Sequence, residues 1–171
     1  MKINVVGTSG SGKSTLAKQL ADALNAPCVQ LDQLFWRANW QGAPDDEFFA
    51  ELEEALAASP QEWILDGNFE VDMVVWIDYP FWRVFSQALT RAVKRIISQE
   101  ELWPGTGNHE SFRKTFLSRD SVLLWSLKTW RQNRKRYFAD MVNPRYAPIQ
   151  FIRLTSIKEA QALVKSLNVG T

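Results

Sequence analysis

The sequence predicts an α/β fold with three layers, in which helices cover both faces of a mostly parallel, five-stranded sheet. Short apolar runs alternate with stretches of helical periodicity along the 171 residues, which is the pattern of parallel strands joined by helical crossovers. No linker, repeat or low-complexity stretch interrupts that pattern. We therefore expect a single domain over residues 1–171.

The predicted strands are apolar runs short enough to be buried in a parallel sheet. They span residues 3–6, 27–31, 62–65, 73–77 and 149–154. The predicted helices rest on apolar spacing and on end signals, such as Pro80 in a first helical turn and the capping-box spacing from Ser156 to Glu159. They span residues 14–24, 45–58, 80–97, about 110–141 and 156–167.

Residues 7–14 read GTSGSGKS and match the phosphate-loop pattern G-x-x-x-x-G-K-[ST] at every fixed position. The motif lies between the first strand and the first helix, whose N-terminus adds partial positive charge to an anion site. The pattern predicts nucleoside triphosphate binding, with Lys13 on the outer phosphates and the Ser14 hydroxyl on Mg²⁺. The predicted nucleotide-binding residues are Gly7, Gly10, Ser11, Gly12, Lys13, Ser14 and Thr15.

Three predicted strands end at an aspartate, namely Asp32, Asp66 and Asp78. Ligands of open α/β sheets bind beyond the carboxyl ends of the strands, so these carboxylates are expected near the phosphate loop. Phosphoryl transfer needs Mg²⁺ near the phosphates and an acceptor oxygen in line, for which one carboxylate each is sufficient. We assign Asp66 to Mg²⁺ and Asp32 to the acceptor. The alternative is that each aspartate caps a strand end or a helix. For Asp78, capping and metal binding are equally favoured.

Arg91 and Arg95 lie four residues apart and share one face of a predicted helix. Arginine side chains suit a transferring phosphoryl group, so we predict a catalytic role for both, together with Lys13 and Asp32. A loop from Ser98 to His109 follows this helix, and the region predicts a lid-like insertion at about residues 91–118 that excludes water. The alternative is a solvated basic face.

A second basic cluster lies on a later helical segment that also carries aromatic residues. Its basic members are Lys128, Arg131, Arg134, Lys135 and Arg136, and its aromatic members are Trp125, Trp130, Tyr137 and Phe138. Basic and aromatic residues together can bind nucleic acid, but helical spacing explains the aromatic residues as a packing stripe. A solvated surface is therefore favoured, and nucleic acid is the minor alternative.

Trp36 and Trp40 follow Asp32 where an acceptor pocket is expected. There they could stack a substrate ring or pack in the core. The only cysteine, Cys28, cannot form an intramolecular disulfide, and the only histidine, His109, has no cluster of metal ligands around it.

The formal net charge of +1 gives no global field that implies nucleic acid or membrane. No run of 18 apolar residues predicts a membrane span and no leader segment is evident, so we expect a cytoplasmic protein.

These segments resemble the adenylate-kinase-like P-loop proteins, including a group labelled DNA topology modulation proteins, over nearly the whole chain. Besides the phosphate loop, the markers are residues 31–36 with Trp40, residues 63–69 and 76–80, and residues 102–103 with 107–108 and Glu110. The resemblance implies ATP and Mg²⁺ as cofactors and lid positions for Arg91 and Arg95. It also matches Asp66-Gly67 to the Asp-Gly of adenylate kinases, and we assign Asn68 of this element to the acceptor site with Asp32, Trp36 and Trp40.

One departure from the resemblance concerns the acceptor. Only Glu70, Val71 and Asp72 separate Phe69 from the next strand, where similar proteins carry a longer stretch, often with an arginine. This shortness argues against true adenylate kinase activity.

The leading hypothesis is a small kinase that transfers the ATP γ-phosphate to a nucleotide-like or other small acceptor. The alternative is an ATP-dependent regulatory or nucleic-acid-binding protein. A GTPase is disfavoured because no Asn-Lys-x-Asp segment selects guanine.

Overall fold

The computed structural model describes residues 1–66, 71–98, 101–109 and 122–168, with residues 122–127 described by their backbone alone. Its sheet has five strands, all parallel, in the order β2-β3-β1-β4-β5. The strands are β1 (Lys2–Gly7), β2 (Cys28–Gln30), β3 (Trp63–Asp66), β4 (Met73–Ile77) and β5 (Gln150–Leu154). The α/β prediction is confirmed.

The described helices connect these strands. They are α1 (Lys13–Leu24), α2 (Leu31–Phe35), α3 (Asp45–Ala57), α4 (Phe81–Ser98), α5 (Val122–Val142) and α6 (Ile157–Asn168). Single 3₁₀ turns lie at Ala38–Trp40 and Pro144–Tyr146.

Strand β1 lies at the centre of the sheet and is buried on both faces. Side chains alternate across a strand, so Ile3 and Val5 join the core formed with α1 and α6, whereas Val6 joins the core formed with α3 and α5. The carboxyl end of β1 is therefore held between two apolar layers. The phosphate loop that follows it starts from a fixed point.

The predicted second strand spans residues 27–31, directly before Asp32, and this prediction is wrong at its carboxyl end. The strand ends at Gln30, and the chain turns at once into the five-residue helix α2. Leu31 and Leu34 pack against the core at helical spacing, but five residues are too few for a periodic signal in the sequence. Asp32 thus lies in the first turn of α2, still beyond the end of β2.

Asp78, which the sequence left between capping and metal binding, holds two arginines instead. Its side chain is 2% exposed, and its two oxygens pair with Arg134 Nε at 2.9 Å and with Arg153 Nη2 at 2.6 Å. Arg153 lies over the rings of Trp76 and Phe138. This cluster joins the ends of β4 and β5 to α5, and it is a structural element of the fold.

We expect Asp78→Asn to lower the free energy of unfolding by about 1–3 kcal/mol, because two partly buried guanidinium groups lose their counter-charge. Urea denaturation followed by circular dichroism measures the change. The control is Asp140→Asn, whose pair with Arg136 is long, at 3.7 Å, and should contribute less than about 0.5 kcal/mol. Equal losses in both variants would contradict the structural role of Asp78.

Candidate functional site

The phosphate loop turns through backbone conformations that glycine alone adopts readily. Gly10 and Gly12 have φ values of +85° and +96°. A Cβ on Gly10 would lie 2.7 Å from the Cβ of Ala88 in α4, so the loop packs directly against that helix. The loop is thus fixed between β1, α1 and α4.

The N-terminus of α1 lies at the end of the phosphate loop, and no side chain caps its backbone N–H groups. Its N-cap is Gly12, no side chain caps the first turn, and that turn carries no acidic residue. A helix of twelve residues leaves several N–H groups unpaired at this end, and these groups suit an anion. The side chains of Ser14 and Thr15 are exposed and that of Lys13 half-exposed. The Oγ of the buried Ser11 has no hydrogen-bond partner, so the loop fits the phosphate chain for which it was predicted.

Ser14 and Asp66, the two predicted metal ligands, meet in the structure. The hydroxyl of Ser14 donates a hydrogen bond of 2.5 Å to Asp66 Oδ2, across 52 residues of sequence. A hydroxyl and a carboxylate are hard oxygen ligands of the kind that Mg²⁺ takes, together with phosphate oxygens and water. The pair therefore fits the cation that accompanies a nucleoside triphosphate.

Asp32 lies in the same region. Its side chain is exposed in part. Neighbouring protein atoms displace water from its carboxyl group, and this desolvation raises the pKa of Asp32 above the ordinary value. The positive charge of Lys13 lowers this pKa, the carboxylate of Asp66 raises it and the guanidinium of Arg91 lowers it, in that order of size. Asp32 thus interacts with the phosphate loop, with the end of β3 and with α4.

Helix α4 presents a cationic face to an open cavity of about 540 Å³. The described lining residues are Ser86, Gln87, Thr90, Arg91, Lys94 and Arg95. Arg91 and Arg95, the predicted lid residues, thus line one cavity on the helix that contacts the phosphate loop. Of the predicted insertion at 91–118, the structure describes residues 91–98, where α4 continues, and residues 101–109, which form a loop.

Trp36 and Trp40 pack against a third tryptophan that the sequence did not assign to the site. The ring of Trp103, from the loop at 101–109, stacks on Trp36 with centroids 5.5 Å apart and meets Trp40 edge-on at 5.6 Å. One face of the predicted aromatic wall is therefore covered by the protein itself. We call these three residues the tryptophan cluster.

Asn108 fastens the loop at 101–109 to the segment at 36–42. Its side chain is buried, accepting a hydrogen bond from the backbone N–H of Trp40 at 3.0 Å and donating one to the carbonyl of Arg37 at 2.8 Å. Trp40 has a φ of +62°, a strained value for a bulky residue that persists only where neighbouring groups hold it. No sequence pattern distinguishes Asn108 from an ordinary loop asparagine.

Other predicted residues lie elsewhere. Asn68 lies outside the described residues, as do residues 99–100 and 110–118 of the predicted insertion. In the basic cluster of α5, Arg134 pairs with Asp78, and Trp130 and Phe138 pack against aromatic side chains of α4 and β4. Across the described parts of the chain, no helix combines the length and apolarity needed to span a membrane.

We expect Asn108→Ala to release the segment at 36–42, because two buried backbone groups lose their partner at a cost of about 1–3 kcal/mol. Hydrogen–deuterium exchange should become faster at residues 36–42 and stay unchanged in β1 and β4. The control is Gln41→Ala, whose side chain is exposed. Unchanged exchange at 36–42 in Asn108→Ala would show that the loop does not hold this segment.

Comparison with known proteins finds no matching protein-family model. A cytidylate kinase of Haloarcula marismortui is 33% identical over 101 residues, which cover 47% of this chain and 53% of that protein. The chain thus matches about half the length of this curated relative. A gluconokinase from Sinorhizobium meliloti 1021 aligns over 99% of this chain and 90% of its own, with a TM-score of 0.50 and 16% identity.

The structural match, at 16% identity, shows a similar fold. The sequence match, at 33% identity over part of the chain, is to a kinase. The structural likeness agrees with the parallel α/β sheet. The chain is therefore similar to a small kinase in fold and, over about half of its length, to another kinase in sequence.

Proposed function

We propose that this protein transfers the γ-phosphate of ATP to a small acceptor bound beside Asp32. The observation that carries the proposal is the meeting of three predicted groups at one end of the sheet. Ser14 donates a hydrogen bond to Asp66. Asp32 interacts electrostatically with both Lys13 and Asp66. This combination of phosphate loop, metal carboxylate and acceptor carboxylate is sufficient for phosphoryl transfer.

The proposed ATP site consists of the phosphate loop and the first turn of α1. Backbone N–H groups from Gly7 to Thr15 would hold the phosphates, with Lys13 on the outer ones. Ser14 and Asp66 would hold Mg²⁺, directly or through water. When bound, Mg²⁺ neutralises charge on the phosphate oxygens.

The proposed acceptor step uses Asp32 as the partner of an attacking hydroxyl. The acceptor oxygen forms a bond to the γ-phosphorus as the bond to the β–γ bridging oxygen breaks, and ADP leaves. The hydroxyl proton passes to the Asp32 carboxylate and then to solvent. The raised pKa of Asp32 favours this transfer, since it makes the carboxylate a stronger base.

Arg91 and Arg95 are proposed to stabilise the charge of the transferring group from the α4 side. Arg91 interacts electrostatically with Asp32, which supports a position near the acceptor carboxylate. Arg95 lines the same cavity one turn further along the helix. Guanidinium groups in such positions act on the equatorial oxygens of the γ-phosphate.

We propose a cytoplasmic location, where ATP is available.

The alternative role as a nucleic-acid-binding regulator depends on the basic cluster of α5. One of its members, Arg134, is held by Asp78 and packs on Trp130, so neutralising it would also disturb the fold. Arg131 and Lys135 are exposed and are the residues to neutralise in a binding assay with DNA at low salt.

The proposal predicts that Lys13→Met and Asp66→Asn each reduce turnover at least about 10²-fold, because each removes charge that contacts the reacting phosphates or their metal. The assay couples ADP release to a panel of nucleosides, nucleotides, sugars and alcohols with Mg·ATP. Lys18→Met, an exposed lysine of α1, is the control and should keep wild-type turnover. The proposal fails if no panel member stimulates ADP release or if Lys13→Met retains full activity.

A second prediction concerns Asp32, whose pKa is raised in the folded protein. Such a carboxyl makes the free energy of unfolding fall as pH rises from its ordinary pKa through its folded pKa. Asn at this position escapes that loss. Asp32→Asn should therefore unfold at an equal or slightly higher temperature than wild type at pH 7, while turnover falls about 10²–10⁴-fold.

Differential scanning calorimetry at pH 4 and pH 7, with the ADP assay, measures both effects. Asp22→Asn, at an exposed aspartate of α1, should change neither. Full turnover in Asp32→Asn would remove Asp32 from the proposed mechanism.

A further inference from the structure

We propose, on the basis of the kinase function above, that the acceptor carries a hydroxyl group but no phosphate, and that it is neutral or positively charged. The inference concerns the acceptor-side segment, which we define as residues 31–57. This segment contains α2, the 3₁₀ turn at Ala38–Trp40 and α3. It begins at the end of β2, on one side of the phosphate loop, whereas α4 follows β4 on the other side.

The acceptor-side segment is strongly acidic. It contains a single basic residue, Arg37, and its acidic residues are Asp32, Asp45, Asp46, Glu47, Glu51, Glu53 and Glu54. A phosphate monoester carries close to two negative charges at neutral pH. Its approach to Asp32 through such a segment is opposed by like charge.

Arg37 does not face the acceptor as a phosphate clamp. Its Nη2 pairs with Glu51 Oε1 at 2.6 Å and lies 4.0 Å from Glu47 Oε2, while its Nη1 donates to the carbonyl of Leu34 at 2.7 Å. The guanidinium therefore connects α2 to α3. Among the described residues of this segment, no basic side chain remains for a substrate phosphate.

The donor side has the opposite charge. Helix α4 contains no acidic residue, and its basic residues are Arg83, Arg91, Lys94 and Arg95. Three of them line the cavity that lies along the helix. The elements on the two sides of the phosphate loop thus differ in charge, with cations on α4, the side proposed for the γ-phosphate, and anions on the acceptor-side segment. A hydroxyl compound without phosphate fits the acidic side, where Asp32 accepts its hydrogen bond.

The tryptophan cluster is consistent with such an acceptor. Trp36 and Trp40 lie in the acceptor-side segment, and Asn108 holds the backbone between them through Arg37 and Trp40. Indole rings bind the apolar faces of sugars, nucleosides and alcohols, and they attract organic cations. They contribute no charge that would hold a phosphate.

The first test uses a bisubstrate probe. Diadenosine pentaphosphate joins an ATP-like half to an adenosine monophosphate half, so a site that takes an adenine nucleotide as acceptor binds it far more tightly than ATP. We expect its Kd, measured by calorimetry with Mg²⁺, to lie within about threefold of the Kd of ATP. A Kd at least 100-fold below that of ATP would overturn the inference.

Matched acceptor pairs give a second readout. Cytidine against cytidine monophosphate and adenosine against adenosine monophosphate differ only by the phosphate. In the ADP assay, kcat/KM should be at least tenfold higher for the unphosphorylated member of any pair that reacts. A preference for the phosphorylated member would overturn the inference.

Charge variants test the pairing of Arg37. Glu47→Gln with Glu51→Gln frees Arg37, whereas Glu53→Gln with Glu54→Gln removes the same charge from exposed positions of α3 outside its ion pairs. The first variant should bind diadenosine pentaphosphate at least threefold more tightly than the second, with ATP affinity equal in both. Equal affinities for the probe would remove Arg37 from the argument.

Failure of this inference is distinguishable from failure of the proposed function. If the protein does not bind Mg·ATP, the kinase proposal itself fails. If it binds Mg·ATP and also binds the bisubstrate probe much more tightly, it is a kinase for a phosphorylated acceptor. In that second case only the acceptor class is wrong.

Discussion

The close packing of the phosphate loop between β1 and α4 is the constraint on which the site depends. Gly10 lies so near Ala88 that a side chain would overlap that residue, and Gly7 lies just as near the carbonyl of Ile77 at the end of β4. These contacts fix the position of the N-terminus of α1. Ser14 is thereby held opposite Asp66, and Arg91 of α4 interacts electrostatically with Asp32. A phosphate loop packed less closely would not hold Ser14, Asp66 and Arg91 in fixed positions relative to one another.

The loop at 101–109 connects the α4 side of the phosphate loop to the acceptor-side segment. It follows α4 in the chain, and it reaches the acceptor-side segment through Trp103 and Asn108. Glu101 shapes the loop from within, because its carboxylate accepts hydrogen bonds from the backbone of Gly105 and Gly107, and these bonds lower its pKa. The position of the tryptophan cluster therefore depends on a segment distant in sequence.

Asp78 and Arg134 show how one residue type can serve fold or function. The sequence presents Asp78 as one more carboxylate at a strand end, and Arg134 as one cation in a basic cluster. In the structure Asp78 pairs with Arg134 and with Arg153, on the far side of β4 from Asp66. Charge at a strand end is thus evidence of a ligand site only when its partner is a candidate ligand group, as for Asp66 and Ser14.

The sequence by itself determined the parallel α/β fold, the phosphate loop and the carboxylates at the carboxyl ends of the second and third strands. These features are local, since apolar periodicity and turn chemistry are set by neighbouring residues. Helix α2 was missed because its five residues are fixed by packing of Leu31 and Leu34 on the core rather than by periodicity. The sequence also could not show that Arg37 is held by α3, that Trp103 covers Trp36, or that Asn108 fastens two segments together. Tertiary structure alone decided these contacts, because each joins groups whose proximity depends on how the whole chain folds.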